Sequence, residues 1–162
     1  MIFDYITNED AQGLQKFLAR PDNKKKINDT NEFGNTALHK ASQQNKIELV
    51  KILLENGADV NAIGIDDFTP LAYAASFGST ELAALLLEHG AEVNHKDDTG
   101  NSILITAVNS RETNEEIIAL LLEYGANPML KNNHGMGLDS LLHKPSKAKI
   151  KHLFSDIDFN QS

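Results

Sequence analysis

GNTALHKA (residues 34–41), DFTPLAYA (67–74) and GNSILITA (100–107) are one phrase written three times, with Thr36, Thr69 and Ser102 each 33 residues apart. A second phrase recurs in phase with it: VKILLENGADVNA (50–62), AALLLEHGAEVNH (83–95) and IALLLEYGANPML (118–130). Its glycines Gly57 and Gly90 are again 33 apart, and Gly125 follows after 35. Each residue type has a local reason. The hydroxyls of Thr36, Thr69 and Ser102 suit a helix start, where a side-chain oxygen accepts a backbone N–H that has no intrahelical partner. Pro70 follows at a first-turn position, where its missing donor costs nothing. Ala41, Ala74 and Ala107 are small where two helices must approach closely. Leu49, Val50, Leu53 and Leu54 recur at helical spacing as an apolar stripe. Gly57, Gly90 and Gly125 supply the left-handed residue that ends such a helix. One unit is therefore a turn followed by an antiparallel helix pair, and no pair can bury its stripe without a neighbour.

The two phrases resemble the ankyrin repeat, whose pattern includes T-P-L-H-x-A and then L-L-x-x-G-A-D-V-N. The resemblance covers about residues 31–133 well and both ends loosely. It implies an all-α ankyrin-repeat solenoid of stacked helix-turn-helix units joined by β-turn hairpins. We read a single domain over 1–162, with units at 31–63, 64–96 and 97–131, degenerate caps at 1–28 and 132–154, and a loose tail at 155–162. In the first cap, Leu14, Phe17 and Leu18 align 36 residues before Val50, Leu53 and Leu54, but the turn phrase is missing. In the last, GMGLDSLL (135–142) loses the threonine and proline, while Leu138, Leu141, Leu142 and then Ile150, Leu153, Phe154 mark two stripes on either side of Pro145. Two departures matter. Asp67 replaces the turn glycine, so the hairpin there is expected to distort. Residues 109–116 carry two extra positions between helices, which should lengthen that loop.

Composition excludes much chemistry. The 162 residues contain no cysteine, so disulfides, thiolate metal sites and cysteine nucleophiles are out. The six histidines (His39, His89, His95, His134, His143, His152) never fall at spacings of three or four. No metal or cofactor is expected. The resemblance assigns His39 to bracing the turn. Gly135-Met136-Gly137 lacks the strand and lysine of a phosphate loop and reads as a capping turn. Asp66-Asp67 and Asp97-Asp98 lie in turns, where aspartate bonds its own backbone. Asp66, Asp67 and Asp97 would be the only acids for an enzyme, a distant alternative, and no enzymatic activity is expected. The N-terminus, with Asp4, Glu9 and Asp10, does not read as a signal peptide. The longest apolar runs fall short of a membrane span of ~20 residues. A cytoplasmic location is expected, with no membrane partner and a monomeric state when unbound. Asn28-Asp29-Thr30 matches the glycosylation pattern without a secretory context.

Charge is uneven. The chain carries −8 in total, yet residues 31–128 hold 15 acidic against 5 basic residues. Such a segment repels nucleic acid and favours a basic protein partner. The basic runs, Lys24-Lys25-Lys26 and residues 144–151, lack interleaved aromatics, so nucleic acid is not an expected partner.

In the ankyrin family, hairpins and first helices line a concave face where proteins bind. Carried onto this sequence, the contact positions are Glu32, Phe33, Asn35, Gln43 and Gln44, then Ile65, Asp66, Phe68 and Phe77 with Tyr73 and Ser76. The next unit gives Asp98, Thr99, Asn101, Asn109 and Ser110. Phe33, Ile65, Phe68, Tyr73 and Phe77 are apolar where the scaffold asks for nothing apolar, and aromatic anchors dominate interface energetics. The expectation is a non-catalytic protein-binding module of the inhibitor or immunity type, blocking a partner such as a toxin. The alternative is an adaptor that links two proteins.

Overall fold

The computed structural model describes residues 1–111 and 113–160. Helices follow in pairs: α1 (Ile2–Thr7) with α2 (Ala11–Leu18), α4 (Ala37–Gln43) with α5 (Ile47–Glu55), α6 (Pro70–Phe77) with α7 (Thr80–Glu88), and α8 (Ile103–Asn109) with α9 (Glu115–Glu123). A short α3 (Pro21–Lys24) trails the first pair. At the far end α10 (Leu138–Leu142) pairs with a 3₁₀ segment, Pro145–Phe154. The first helices pack as one row, α1 on α4, α4 on α6, α6 on α8 and α8 on α10. The second helices form another row behind them, α2 on α5, α5 on α7, α7 on α9 and α9 on the 3₁₀ segment. No strand runs through the described residues; only a single bridge, Lys96 to Ser102, has that geometry. The expected all-α solenoid is what the chain forms.

The repeated residues do what their chemistry suggested. Thr36, Thr69 and Ser102 cap α4, α6 and α8, each hydroxyl accepting the N–H three residues on at 3.2–3.4 Å. Gly57, Gly90 and Gly125 take φ of +91°, +87° and +86°. Around each, two bonds close the helix: Ala58 N–H to the Leu53 carbonyl and Gly57 N–H to that of Leu54, repeated from Ala91 and Gly90, and from Ala126 and Gly125. This is the double-bonded Schellman ending. Ala41, Ala74 and Ala107 have no exposed surface, and Leu49, Val50, Leu53 and Leu54 are all buried.

The loop between α8 and α9 is longer than its counterparts, as its two extra residues require. Thr113 in it accepts the buried Lys147 ammonium at 2.6 Å, joining the loop to the terminal 3₁₀ segment. Burial, and then the nearby Lys144, holds the Lys147 amine below its ordinary value. The second stripe of the last cap is 3₁₀ rather than α, with Ile150 and Phe154 buried. Beyond it Ile157 and Phe159 rest against the core. The last two positions of the tail, 161 and 162, lie outside the described residues.

Candidate functional site

Four hairpins precede the first helices of the later pairs, and three share one chemistry. Asn31, Asp97 and Asn132 begin them, each accepting on Oδ1 the N–H groups two and four residues on, at 2.9–3.0 Å. Gly34, Gly100 and Gly135 then turn the chain at φ of +78°, +81° and +74°. The hairpin at 64–68 differs at both points. Gly64 stands where the others have Asn or Asp, because a Cβ there would meet Asn35 Oδ1 at 2.2 Å and the His39 ring at 3.0 Å. Asp67 stands where they have glycine, and Asp66 and Asp67 both turn left-handed, at φ of +58° and +55°. The closing bond slips by one residue, to Phe68 N–H on the Ile65 carbonyl. The distortion expected from Asp67 is real, and the missing side chain at Gly64 is its second cause.

That hairpin is pinned from two sides. His39 Nδ1 accepts the Thr36 N–H at 3.1 Å, so Nε2 carries the proton and donates to the Phe68 carbonyl at 3.1 Å. His95 Nε2 donates to the Asp67 carbonyl at 2.8 Å. Burial is the main influence on His39 and holds its imidazole below the ordinary 6.5. His39 thus has the bracing role assigned to it, and it braces the following hairpin as well as its own.

Among the residues expected at the binding surface, Phe33 and Phe77 stand out at 61% and 62% exposed, with Ile65 at 43%. Ile65 N–H donates to Asn35 Oδ1 at 3.1 Å, which brings the Ile65 hairpin against the one carrying Phe33. Glu32, Gln43, Gln44, Asp66, Asp98, Thr99 and Asn109 are exposed, and Asn35, Phe68, Asn101 and Ser110 half-buried. Tyr73 is a correction. It is only 8% exposed, because its ring stands edge-on to Phe68 at 5.2 Å and to His39 at 6.3 Å. It packs the junction between two units, and burial, with Asp66 as a second cause, raises its hydroxyl above the ordinary value. Ile63, 55% exposed, was not singled out from the sequence. The signal was available: the aligned positions are the polar Thr30, Lys96 and Lys131.

The sequence also contained an unread ladder. Asn28, Asn61, Asn94 and Asn127 are 33 residues apart. Asn28 Oδ1 accepts the Asp59 N–H, Asn61 the Glu92 N–H and Asn94 the Asn127 N–H, at 2.7–2.9 Å. Asn61 and Asn94 also donate to the Gly90 and Gly125 carbonyls at 3.1 Å. These amides tie the loops of successive units together.

The acidic charge lies mostly away from the hairpins. Glu48, Glu55, Asp59, Glu81, Glu88, Glu92, Glu115, Glu116 and Glu123 sit on α5, α7 and α9 and the loops after them, against Lys51, Lys96 and Lys131. The hairpins carry Glu32, Asp66, Asp67, Asp97 and Asp98. The Asp97 carboxylate is taken up by its own turn, through Thr99 and Asn101. Among the described residues no group of three or more His, Asp or Glu side chains is placed to hold a metal, and no helix is long and apolar enough to cross a membrane.

A family model described as ankyrin repeats (3 copies) matches residues 5–97 and 62–132. The human transient receptor potential cation channel subfamily A member 1 is 33% identical over 132 residues, which is 81% of this chain and 12% of the channel. An ankyrin repeat protein of Fowlpox virus (strain NVSL) is 47% identical over 51 residues, 32% of this chain and 27% of that protein. An E3 ubiquitin-protein ligase of Arabidopsis thaliana is 32% identical over 108 residues, 64% of this chain and 7% of the ligase. The chain spans 27% of the length of the viral relative and 12% or less of the other two.

Proposed function

The chain belongs to the ankyrin-repeat family, a protein-interaction module, and from that premise we propose that it binds one protein partner through its hairpin and first-helix face. Phe33, Ile65 and Phe77 are the apolar anchors of that surface. Glu32, Asn35, Gln43, Gln44, Asp66, Asp98, Thr99, Asn101, Asn109 and Ser110 form its polar rim. Phe68, backed by Tyr73, supports the centre. The observation that carries the reading is the exposure of two phenylalanines, 61% and 62%, on the face where the stacked units leave side chains free. An exposed aromatic gains nothing for the fold and is the residue type that dominates binding energetics.

The function is blocking: an inhibitor or immunity-type protein that occupies its target without catalysis, in the cytoplasm and as a monomer until it binds. The target is basic, for two reasons. The rim carboxylates Glu32, Asp66 and Asp98 would contact it, and the acidic second helices would draw it in from a distance. An adaptor would need a second surface, and those acidic helices are the candidate for one. Affinity capture from host lysate, with wild type and a Phe33→Ala/Phe77→Ala variant as parallel baits, tests the reading. A partner held by the first and lost by the second supports it; equal recovery on both baits removes the hairpin face from the account.

A further inference from the structure

Of the asparagines in the chain, Asn56 alone is followed by glycine. That pair carries a chemistry the partner-binding face does not use. The backbone nitrogen after an asparagine can attack the side-chain amide carbon, and glycine, with no Cβ, leaves that approach open. A bond forms between Gly57 N and Asn56 Cγ, the Cγ–Nδ2 bond breaks, and ammonia leaves with the proton that Gly57 N gives up. Water then opens the five-membered imide at either carbonyl. One opening gives aspartate; the other gives isoaspartate, in which the main chain runs through the side-chain carbon.

In the fold three restraints hold the pair back. Asn56 ends α5 at φ −95° and ψ 4°. That ψ places the Gly57 nitrogen over Asn56's own nitrogen, a third of a turn from the Cβ that the imide ring must include. The Gly57 N–H is committed to the Leu54 carbonyl at 3.0 Å. Asn56 Nδ2 donates to the Ile52 carbonyl at 2.8 Å, which draws the amide back along the helix and away from Gly57. The equivalent residues of the next two units are His89 and Tyr124. His89 Nδ1 makes the same bond, to the Leu85 carbonyl four residues back at 2.8 Å. Two units thus finish the helix with a side-chain donor at this position, and of the two donors only the asparagine is labile.

We propose that Asn56 is a site of spontaneous covalent modification, gated by opening of the last turn of α5, and that conversion loosens the joint between this unit and the one before it. Reaction requires ψ of Asn56 to swing and both hydrogen bonds to break, which is local unfolding of a helix end. Conversion runs one way. The aspartate has no donor for the Ile52 carbonyl and sets a negative charge among the free carbonyls at the C-terminal end of α5. Isoaspartate also lengthens the backbone just before Gly57, so the two bonds that close the helix, from Gly57 and Ala58, lose their register. Asp59 comes next, and its N–H is the donor to Asn28 of the preceding unit at 2.9 Å. The disturbance therefore reaches the bond between the two loops. The site lies apart from the hairpin face and does not depend on it.

The test is peptide mass mapping of the full chain after incubation in mildly alkaline buffer, folded and in denaturing urea. It follows the mass gain of amide-to-acid conversion in the peptide that holds Asn56. The unfolded chain should convert at Asn56 faster than at any other asparagine. The folded chain should convert there at least about tenfold more slowly, and sub-denaturing urea, which frays helix ends, should speed it. Equal rates in the folded and unfolded chain, or no conversion at Asn56 in the unfolded one, overturn the proposal. Thermal unfolding of two variants reads the loosening. Asn56→His supplies the donor found in the next unit, so it should abolish the conversion and keep the wild-type melting temperature. Asn56→Asp should melt lower. A wild-type melting temperature in Asn56→Asp, or an equal loss in both variants, overturns the loosening.

Discussion

His39 Nε2 and the carbonyl of Phe68, 29 residues apart in the chain, are joined at 3.1 Å across the junction between two units. The other ring nitrogen accepts the Thr36 N–H, so the neutral imidazole alone satisfies both ends. Protonation would put a second donor against that N–H.

Stability should therefore fall on mild acidification. Burial holds His39 below 6.5 when folded, so between that depressed value and 6.5 the unfolded chain binds the extra proton. Its contribution is fully present above pH 6.5 and is lost as pH falls from there through the lower folded value. Denaturant unfolding at a series of pH values, in wild type and His39→Gln, checks this; an equal decline in both would place the sensitivity elsewhere.

Tyr73 and Phe77, four residues apart on α6, should behave in opposite ways. Tyr73→Ala empties a buried aromatic site and is expected to cost about 3 kcal/mol or more. Phe77→Ala removes a side chain that is 62% exposed and should change stability by less than about 0.5 kcal/mol. Thermal unfolding of the two variants decides it.

Gly64→Ala should destabilise the chain even though its backbone angles are open to alanine. The added Cβ would meet the Asn35 amide at 2.2 Å and the His39 ring at 3.0 Å, and Asn35 cannot move without releasing the Ile65 N–H. A lowered melting temperature with weakened hydrogen-exchange protection at Ile65 and Phe68 is the expected signature. Unchanged protection would mean that the ring and amide have room to shift.

Asn94→Ala should cost about 1 kcal/mol, because it removes two inter-unit bonds, from the Asn127 N–H and to the Gly125 carbonyl. Asn127→Ala should cost less. Its Oδ1 accepts only the Met129 N–H, within its own loop. Chemical denaturation of both variants tests the ladder.

The architecture was legible because each unit repeats residues with a local physical duty. A hydroxyl at 36, 69 and 102 caps a helix; a glycine at 57, 90 and 125 ends one. Tyr73 was misplaced for the opposite reason. Its burial depends on Phe68 and on His39 of the preceding unit, contacts that no local pattern records. The asparagine ladder was visible as a 33-residue spacing, but what those amides hold appears only once neighbouring loops stack. The acidic excess was countable from the sequence. Its concentration on the second helices follows from dividing residues 31–128 by helix row, which requires the helix boundaries.

The most direct test of the central claim is the dissociation constant of the captured partner for wild type and for Phe33→Ala and Phe77→Ala singly, measured by calorimetry alongside melting temperature. Truncating a central aromatic anchor should weaken binding about thirtyfold, from a loss of roughly 2 kcal/mol, at an unchanged melting temperature. Wild-type affinity in both variants would contradict the account and move the binding surface off the hairpin face.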